Sequence, residues 1–210
     1  MHILLAIFFL GQAGQLAPVS EEKREPGFSA FVARLKSAVA KRDAKALKKL
    51  TDEDVIAGGF GDKDEKGWLK FSNRWEVDQK TGAVWDVLAD LLELGFFREA
   101  PSIYVSPYVA WKFPRELDGQ DYLVVLRDAL PLRKTPDRDG DVVATLAFDI
   151  VKRVEAKRSG GTFDWVLVET ARGVRGYVQS AVVRSPLMAR GQFALKDGKW
   201  RLSVLDRARD

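Results

Sequence analysis

Between Tyr122 and Pro186 no stretch repeats its apolar residues at helical spacing; there are only short apolar runs broken by turn chemistry. Tyr122-Leu-Val-Val-Leu126 opens the stretch, Leu130-Pro-Leu-Arg133 and Thr135-Pro136 form an irregular arc, and Asp137-Arg-Asp-Gly140 makes a turn. Val142–Leu146 and Ile150–Val154 read as strands. The Ser159-Gly-Gly161 turn then leads to Phe163-Asp-Trp-Val-Leu-Val-Glu169, Ala171-Arg-Gly173 and Gly176-Tyr-Val178. An open sheet of so many short strands would leave bare edges, so the expectation for residues 122–186 is a small closed β-barrel.

The residues also carry a likeness. Leu130-x-Leu132-Arg133-x-x-Pro136, then Val142–Leu146, Trp165-x-x-Val168 and Gly173-x-x-Gly176-Tyr-Val178 resemble the bacterial SH3 (SH3b-type) domain, with Pro131 where that family commonly has Asn. The resemblance covers less than a third of the chain. It implies an SH3-like barrel that binds a peptide, or the peptide part of the cell wall, through an aromatic groove. It places Trp165 and Tyr177 near that groove, with Tyr122 and Arg133 as further ligand-binding candidates. The plain alternative is that Trp165 and Tyr177 fill a small barrel.

Upstream, Phe28, Phe31, Val32, Leu35, Ala38 and Val39 recur at helical spacing, with Lys36, Lys41 and Arg42 on the other side. Such a basic amphipathic helix could lie on a membrane surface; the simpler reading is a core-facing helix with a solvated basic face. Asp43 is placed to cap a second helix through Ala46, Leu47 and Leu50. Further helices are expected at Trp68–Trp75 and Val84–Leu92, and Ile103–Phe113 reads as an extended segment broken at Pro107. At the other end, Met188–Leu195 and Trp200–Leu205 alternate apolar and polar residues around Lys196-Asp-Gly-Lys199, a hairpin signature. A lone hairpin is unstable in water, so its apolar face must lie against something, and the expectation is that it folds back onto the Ile103–Phe113 segment and the helices.

The expected class is therefore α+β: a helical N-terminal region, a small SH3-like β-barrel, and a C-terminal β-hairpin packed back on the N-terminal region. The segments are residues 1–17 as signal peptide, 18–27 as linker, 28–121 as the helical region with one extended strand, 122–186 as the barrel and 187–210 as the hairpin. This arrangement is similar to a group of uncharacterised exported bacterial proteins carrying SH3 domains, a comparison that implies architecture and no activity.

The leader reading rests on the compact apolar run Ile3–Leu10 followed by Gly11, Ala13, Gly14 and Ala17, with cleavage expected after Ala13. The run is far shorter than the roughly 20 apolar residues that span a bilayer, so no stable membrane span is expected. The chain has no Cys, and its one His is His2, inside that leader. The exported protein would then lack imidazole and thiol, which excludes a Cys–His peptidase, a Ser–His–Asp hydrolase and any ordinary zinc site. Asp62, Asp64 and Gly67 stand as in a calcium loop, but Lys66 occupies a ligand position and Asn73 the place of the closing Glu, so this is a turn and helix start.

No metal or cofactor is expected. The leading function is a non-catalytic binding module of the cell envelope, in the periplasm or secreted, whose partner is a cell-wall peptide. The alternatives are an assembly partner for another envelope protein and, more remotely, a carboxylate-based wall glycosidase using the Asp52-Glu-Asp54 or Asp62–Glu65 clusters. Nucleic acid is not an expected partner, because 34 Lys and Arg face 30 Asp and Glu. Export is tested by mass spectrometry of protein recovered from the envelope fraction: the expected N-terminus is Gly14, whereas a chain retained in the cytosol and still starting at Met1 would overturn it.

Overall fold

The computed structural model describes residues 14–58, 66–154 and 165–207. The leader core with its cleavage site, the acidic cluster from Asp62 to Glu65, and the Ser159–Gly161 turn lie outside the described residues. The protein is of mixed helix and sheet, α+β, with five α-helices and twelve strands among the described residues. In chain order these are α1 (Pro26–Ala40), α2 (Ala44–Leu50), β1 (Thr51–Ile56), α3 (Trp68–Trp75), α4 (Ala83–Glu93), β2 (Phe97–Ala100), β3 (Ile103–Ser106) and α5 (Tyr108–Lys112). There follow β4 (Tyr122–Val125), β5 (Leu130–Arg133), β6 (Val142–Leu146), β7 (Ile150–Arg153), β8 (Trp165–Glu169), β9 (Arg175–Gln179), β10 (Val183–Arg184), β11 (Arg190–Lys196) and β12 (Lys199–Asp206). They form two compact units.

One unit joins Pro18–Pro114 to the chain from Pro186 onward. Its sheet has the order β1-β12-β11-β3-β2, with β1 parallel to β12 and the other pairs antiparallel. The β11–β12 hairpin turns through Asp197 and Gly198, both at positive φ, as a two-residue turn between twisted strands requires. The sheet joins segments remote in the chain: the C-terminal β11 pairs with β3, from the middle of the chain, through Gly191–Ser106 to Ala194–Ile103.

Helix α1 begins with Pro26 at its first position, and the Glu25 carboxylate accepts from the Gly27 N–H at 3.1 Å. It buries Phe28, Phe31, Val32, Leu35, Ala38 and Val39 against the sheet and α4. Phe28 is the centre of an aromatic cluster. Its ring stacks on Tyr104 at 3.8 Å between centroids and meets Phe96 and Trp200 edge-on at 5.2 and 5.0 Å, while Phe193 packs at 6.0 Å. Burial pushes the Tyr104 phenol up from its ordinary pKa, and its hydroxyl donates to the Glu21 carbonyl at 3.3 Å.

Several expectations are corrected here. Residues 18–27 are not a free linker: the Glu21 N–H donates to the Phe96 carbonyl and its carboxylate accepts from the Arg98 N–H, both at 2.8 Å. The region 28–121 holds three strands besides its helices, because Thr51–Ile56 is drawn into the sheet beside β12. There Asp52 is buried with its carboxylate 2.7 Å from Lys196 Nζ, and Glu53 and Asp54 face solvent. Pairing along an existing strand outweighs the poor strand propensity of an acidic run. The extended segment expected to reach Phe113 stops at Ser106; Tyr108–Lys112 is a helical turn that buries Tyr108 and Val109.

The other unit joins the described residues up to Ala17 to Arg115–Ser185. Its strands form one seven-stranded antiparallel sheet in the order β10-β4-β7-β8-β9-β5-β6, and not the small closed barrel expected for residues 122–186. Among the described residues its end strands, β10 and β6, do not pair with each other. The edges are limited in other ways. β10 is only two residues long, and the chain at Gly14–Leu16 bonds to the turn before β7, with Leu16 N–H donating to the Phe148 carbonyl at 2.7 Å. Leu123, Val125, Leu132, Leu146, Val151, Val168 and Val178 make a core of this unit.

Because Phe28 touches both chain segments of its unit, Tyr104 in one and Trp200 in the other, Phe28→Ala is expected to destabilise the protein by roughly 3–5 kcal/mol. The urea midpoint measures this. A loss under about 1 kcal/mol would show that the cluster is not central to folding.

Candidate functional site

Residues paired across antiparallel strands project to the same side of the sheet. Tyr122 pairs with Lys152, Lys152 with Glu169 and Glu169 with Arg175, giving one row across β4, β7, β8 and β9. Leu167 pairs with Tyr177 and Tyr177 with Arg133, giving a second row across β8, β9 and β5. Trp165 pairs with Gln179 in a third. Alternation along β8 and β9 puts the three rows on one face, opposite the side where Val168 and Val178 enter the core.

All four candidate residues therefore stand on one face of the sheet, and each is half-buried. They do not converge equally. Trp165 and Arg133 line a single open cleft of about 310 Å³, together with Leu130, Pro131, Arg138 and Gln179. Tyr177 is the direct neighbour of Arg133 on the next strand but does not line the cleft. Tyr122 lies three strands from Tyr177, roughly 14 Å away along the sheet, and takes no part in the cleft.

Local chemistry explains this arrangement. Gly176 lets β9 approach β5: a Cβ there would sit 2.7 Å from both the Arg133 carbonyl oxygen and Leu132 Cγ. The Arg133 guanidinium is held by one N–H, Nη1 donating to the Gly140 carbonyl at 2.7 Å, which leaves its other donors to offer. The turn carrying Arg138 is knitted by the Asp137 carboxylate, which accepts from the Thr135 hydroxyl and the Asp139 N–H, both at 2.8 Å. Those bonds, Thr135 first, hold the Asp137 carboxyl below its ordinary pKa, with the Arg133 charge acting in the same direction. One row away, Arg175 and Glu169 form an ion pair at 2.5 Å.

The cleft thus combines two guanidinium groups, an indole face, an amide and an apolar floor, a set suited to an extended ligand with a carboxylate and an apolar portion. Arg138 and Gln179 were not singled out from the sequence. Arg138 carried one signal, a cation at the tip of the Asp137–Gly140 turn; Gln179 carried none, since only its pairing with Trp165 brings it to the cleft. Of the acidic clusters, Asp52 is buried beside Lys196 and belongs to the other unit. No group of His, Cys, Asp and Glu that could hold a metal ion occurs among the described residues, and none of their helices is long and apolar enough to cross a membrane. No family model, curated protein or solved structure matches the chain.

Gly176→Ala is expected to cost roughly 1–3 kcal/mol, because the new methyl group meets backbone that cannot move without parting β5 from β9. Urea unfolding together with amide exchange of Leu132 and Tyr177 tests this; an unchanged midpoint would mean that the two strands are not held this close.

Proposed function

We propose that the protein is an exported, non-catalytic binding module of the bacterial cell envelope that holds a short carboxylate-bearing peptide, such as a cell-wall stem peptide, in the Trp165–Arg133 cleft. The observation that carries this reading is the grouping of Arg133, Arg138 and Trp165 around one open cleft with Leu130, Pro131 and Gln179. Arg138 at the exposed rim meets the carboxylate, Arg133 is pre-positioned by its bond to Gly140, and Trp165 and Pro131 cover the apolar part. The likeness of these strands to SH3b-type sequences supports a peptide as the ligand. The lack of Cys, and of any His beyond His2, supports holding over cutting.

The test is retention on purified wall material and titration with a free stem peptide. Trp165→Ala is expected to weaken binding roughly ten-fold, as loss of a central aromatic anchor does. Arg138→Ala, at an exposed rim, is expected to weaken it only a few-fold, and less at high salt. No retention at low salt, or full retention by Trp165→Ala with its fold intact, would overturn the assignment. Clearing of wall substrate in a gel would overturn the non-catalytic part.

A second reading has its own observation. End strand β6 exposes Val142 and Val143, at 54% and 40% of their surface, so a strand from another envelope protein could add to this edge. Cross-linking in the native envelope that is lost on Val143→Lys, with wall binding unchanged, would favour it.

A further inference from the structure

The face formed by α1 and α2 carries more positive charge than the fold uses, though Lys48 and Lys49 lie in the last turn of α2 and Lys48 sits 5.6 Å over the Trp68 ring. Over residues 26–50 the chain carries Arg34, Lys36, Lys41, Arg42, Lys45, Lys48 and Lys49 against the single acid Asp43, whereas the whole chain has a net charge of only +4. Each helix carries its acid at the N-cap, Glu25 and Asp43, and none in its first turn. Asp43 is already used: its carboxylate caps α2 by accepting from the Ala46 N–H at 3.0 Å, which also holds its pKa down. Among the described residues, Arg42 alone of these cations is ion-paired, to Asp86 at 2.6 Å. Arg34, Lys36, Lys41, Lys45, Lys48 and Lys49 all face solvent. Crowding like charges on one face destabilises the folded chain, so an acidic partner is the physical complement.

The shape narrows that partner. Arg34, Lys41 and Lys49, with Ser37, rim a cleft of about 390 Å³ between the two helices, and Ala38, Ala46 and Leu50 form its floor; Asp43 also lines it, its carboxylate accepting from the Ala46 N–H, so three cations stand against one acid. Cations over an apolar floor suit an anionic headgroup with the start of its alkyl part. No aromatic ring lines the cleft for a nucleobase to stack on. We propose that the α1–α2 face docks the protein on a bilayer surface by binding anionic phospholipid headgroups, with the cleft between Arg34, Lys41 and Lys49 taking one headgroup. This site shares no residue with the Trp165–Arg133 cleft, so either assignment can fail without the other.

The test is co-sedimentation of the purified protein with vesicles of phosphatidylglycerol and phosphatidylcholine, against vesicles of phosphatidylcholine alone. Binding is expected to require phosphatidylglycerol and to be released as salt rises to about 0.5 M. Each basic residue near an anionic surface strengthens binding roughly five-fold, so the triple variant Arg34→Glu, Lys41→Glu, Lys49→Glu should bind roughly 100-fold more weakly. A control triple at exposed positions elsewhere, Arg115→Glu, Arg127→Glu, Lys199→Glu, should retain most of the binding. Should the first triple not fold by circular dichroism, the neutral pair Lys41→Gln, Lys49→Gln is expected to lose roughly 25-fold. Equal binding to phosphatidylcholine, an equal loss in the control triple, or tighter binding to polyphosphate than to the vesicles would each overturn the proposal.

Discussion

The stack of Phe28 on Tyr104, closed by Trp200 and Phe193, is the interaction on which the larger unit depends. It brings together a helix near the N-terminus, a strand from the middle of the chain and the C-terminal hairpin. These rings lie far apart in sequence, so the closure entropy of long loops must be met by a contact of large area. The hairpin cannot stand in water without this contact, and the sheet has no β11 or β12 without the hairpin. The same contact fixes the outer side of α1, since burying Phe28, Phe31, Val32 and Leu35 commits Arg34, Lys36 and Lys41 to solvent.

The smaller unit is arranged differently. Its core is aliphatic, built from Leu and Val on one side of a seven-stranded sheet, and its aromatic residues Trp165, Tyr177 and Tyr122 are on the other side. A sheet with one packed face and one half-open face can offer its outward side chains to a ligand. The strict alternation of β8 and β9 decides which residues those are. A register slip of one residue would place Trp165 and Tyr177 in the core and Val168 and Val178 outside. Gly176 helps hold that register by admitting no side chain between β9 and β5.

Much of this was legible in the sequence where one local rule governs. The apolar spacing of Phe28 to Val39, the Asp43 cap and the Asp197-Gly198 turn each depend on neighbours within a few residues, and the structure has α1, α2 and the β11–β12 hairpin there. Where partners are distant, the reading fell short. Thr51–Ile56 becomes a strand only because β12 arrives beside it, Tyr108–Lys112 turns helical to bury Tyr108, and the expected barrel is a seven-stranded sheet whose end strands stay apart. At the candidate site, Arg133 and Trp165 stood out as residue types, whereas Gln179 and Arg138 enter only through strand pairing and the fold of a turn.

By itself the amino-acid order determined the mixture of helices and short strands, because apolar period and turn residues act over a few positions. It also determined that the chain offers no thiol of its own, since folding cannot supply one. Tertiary structure alone decided that Tyr122 stands apart from the cleft while Arg138 joins it, and that Arg34, Lys41 and Lys49 line one hollow. Those outcomes depend on distances between segments remote in the chain, which only the packed cores fix.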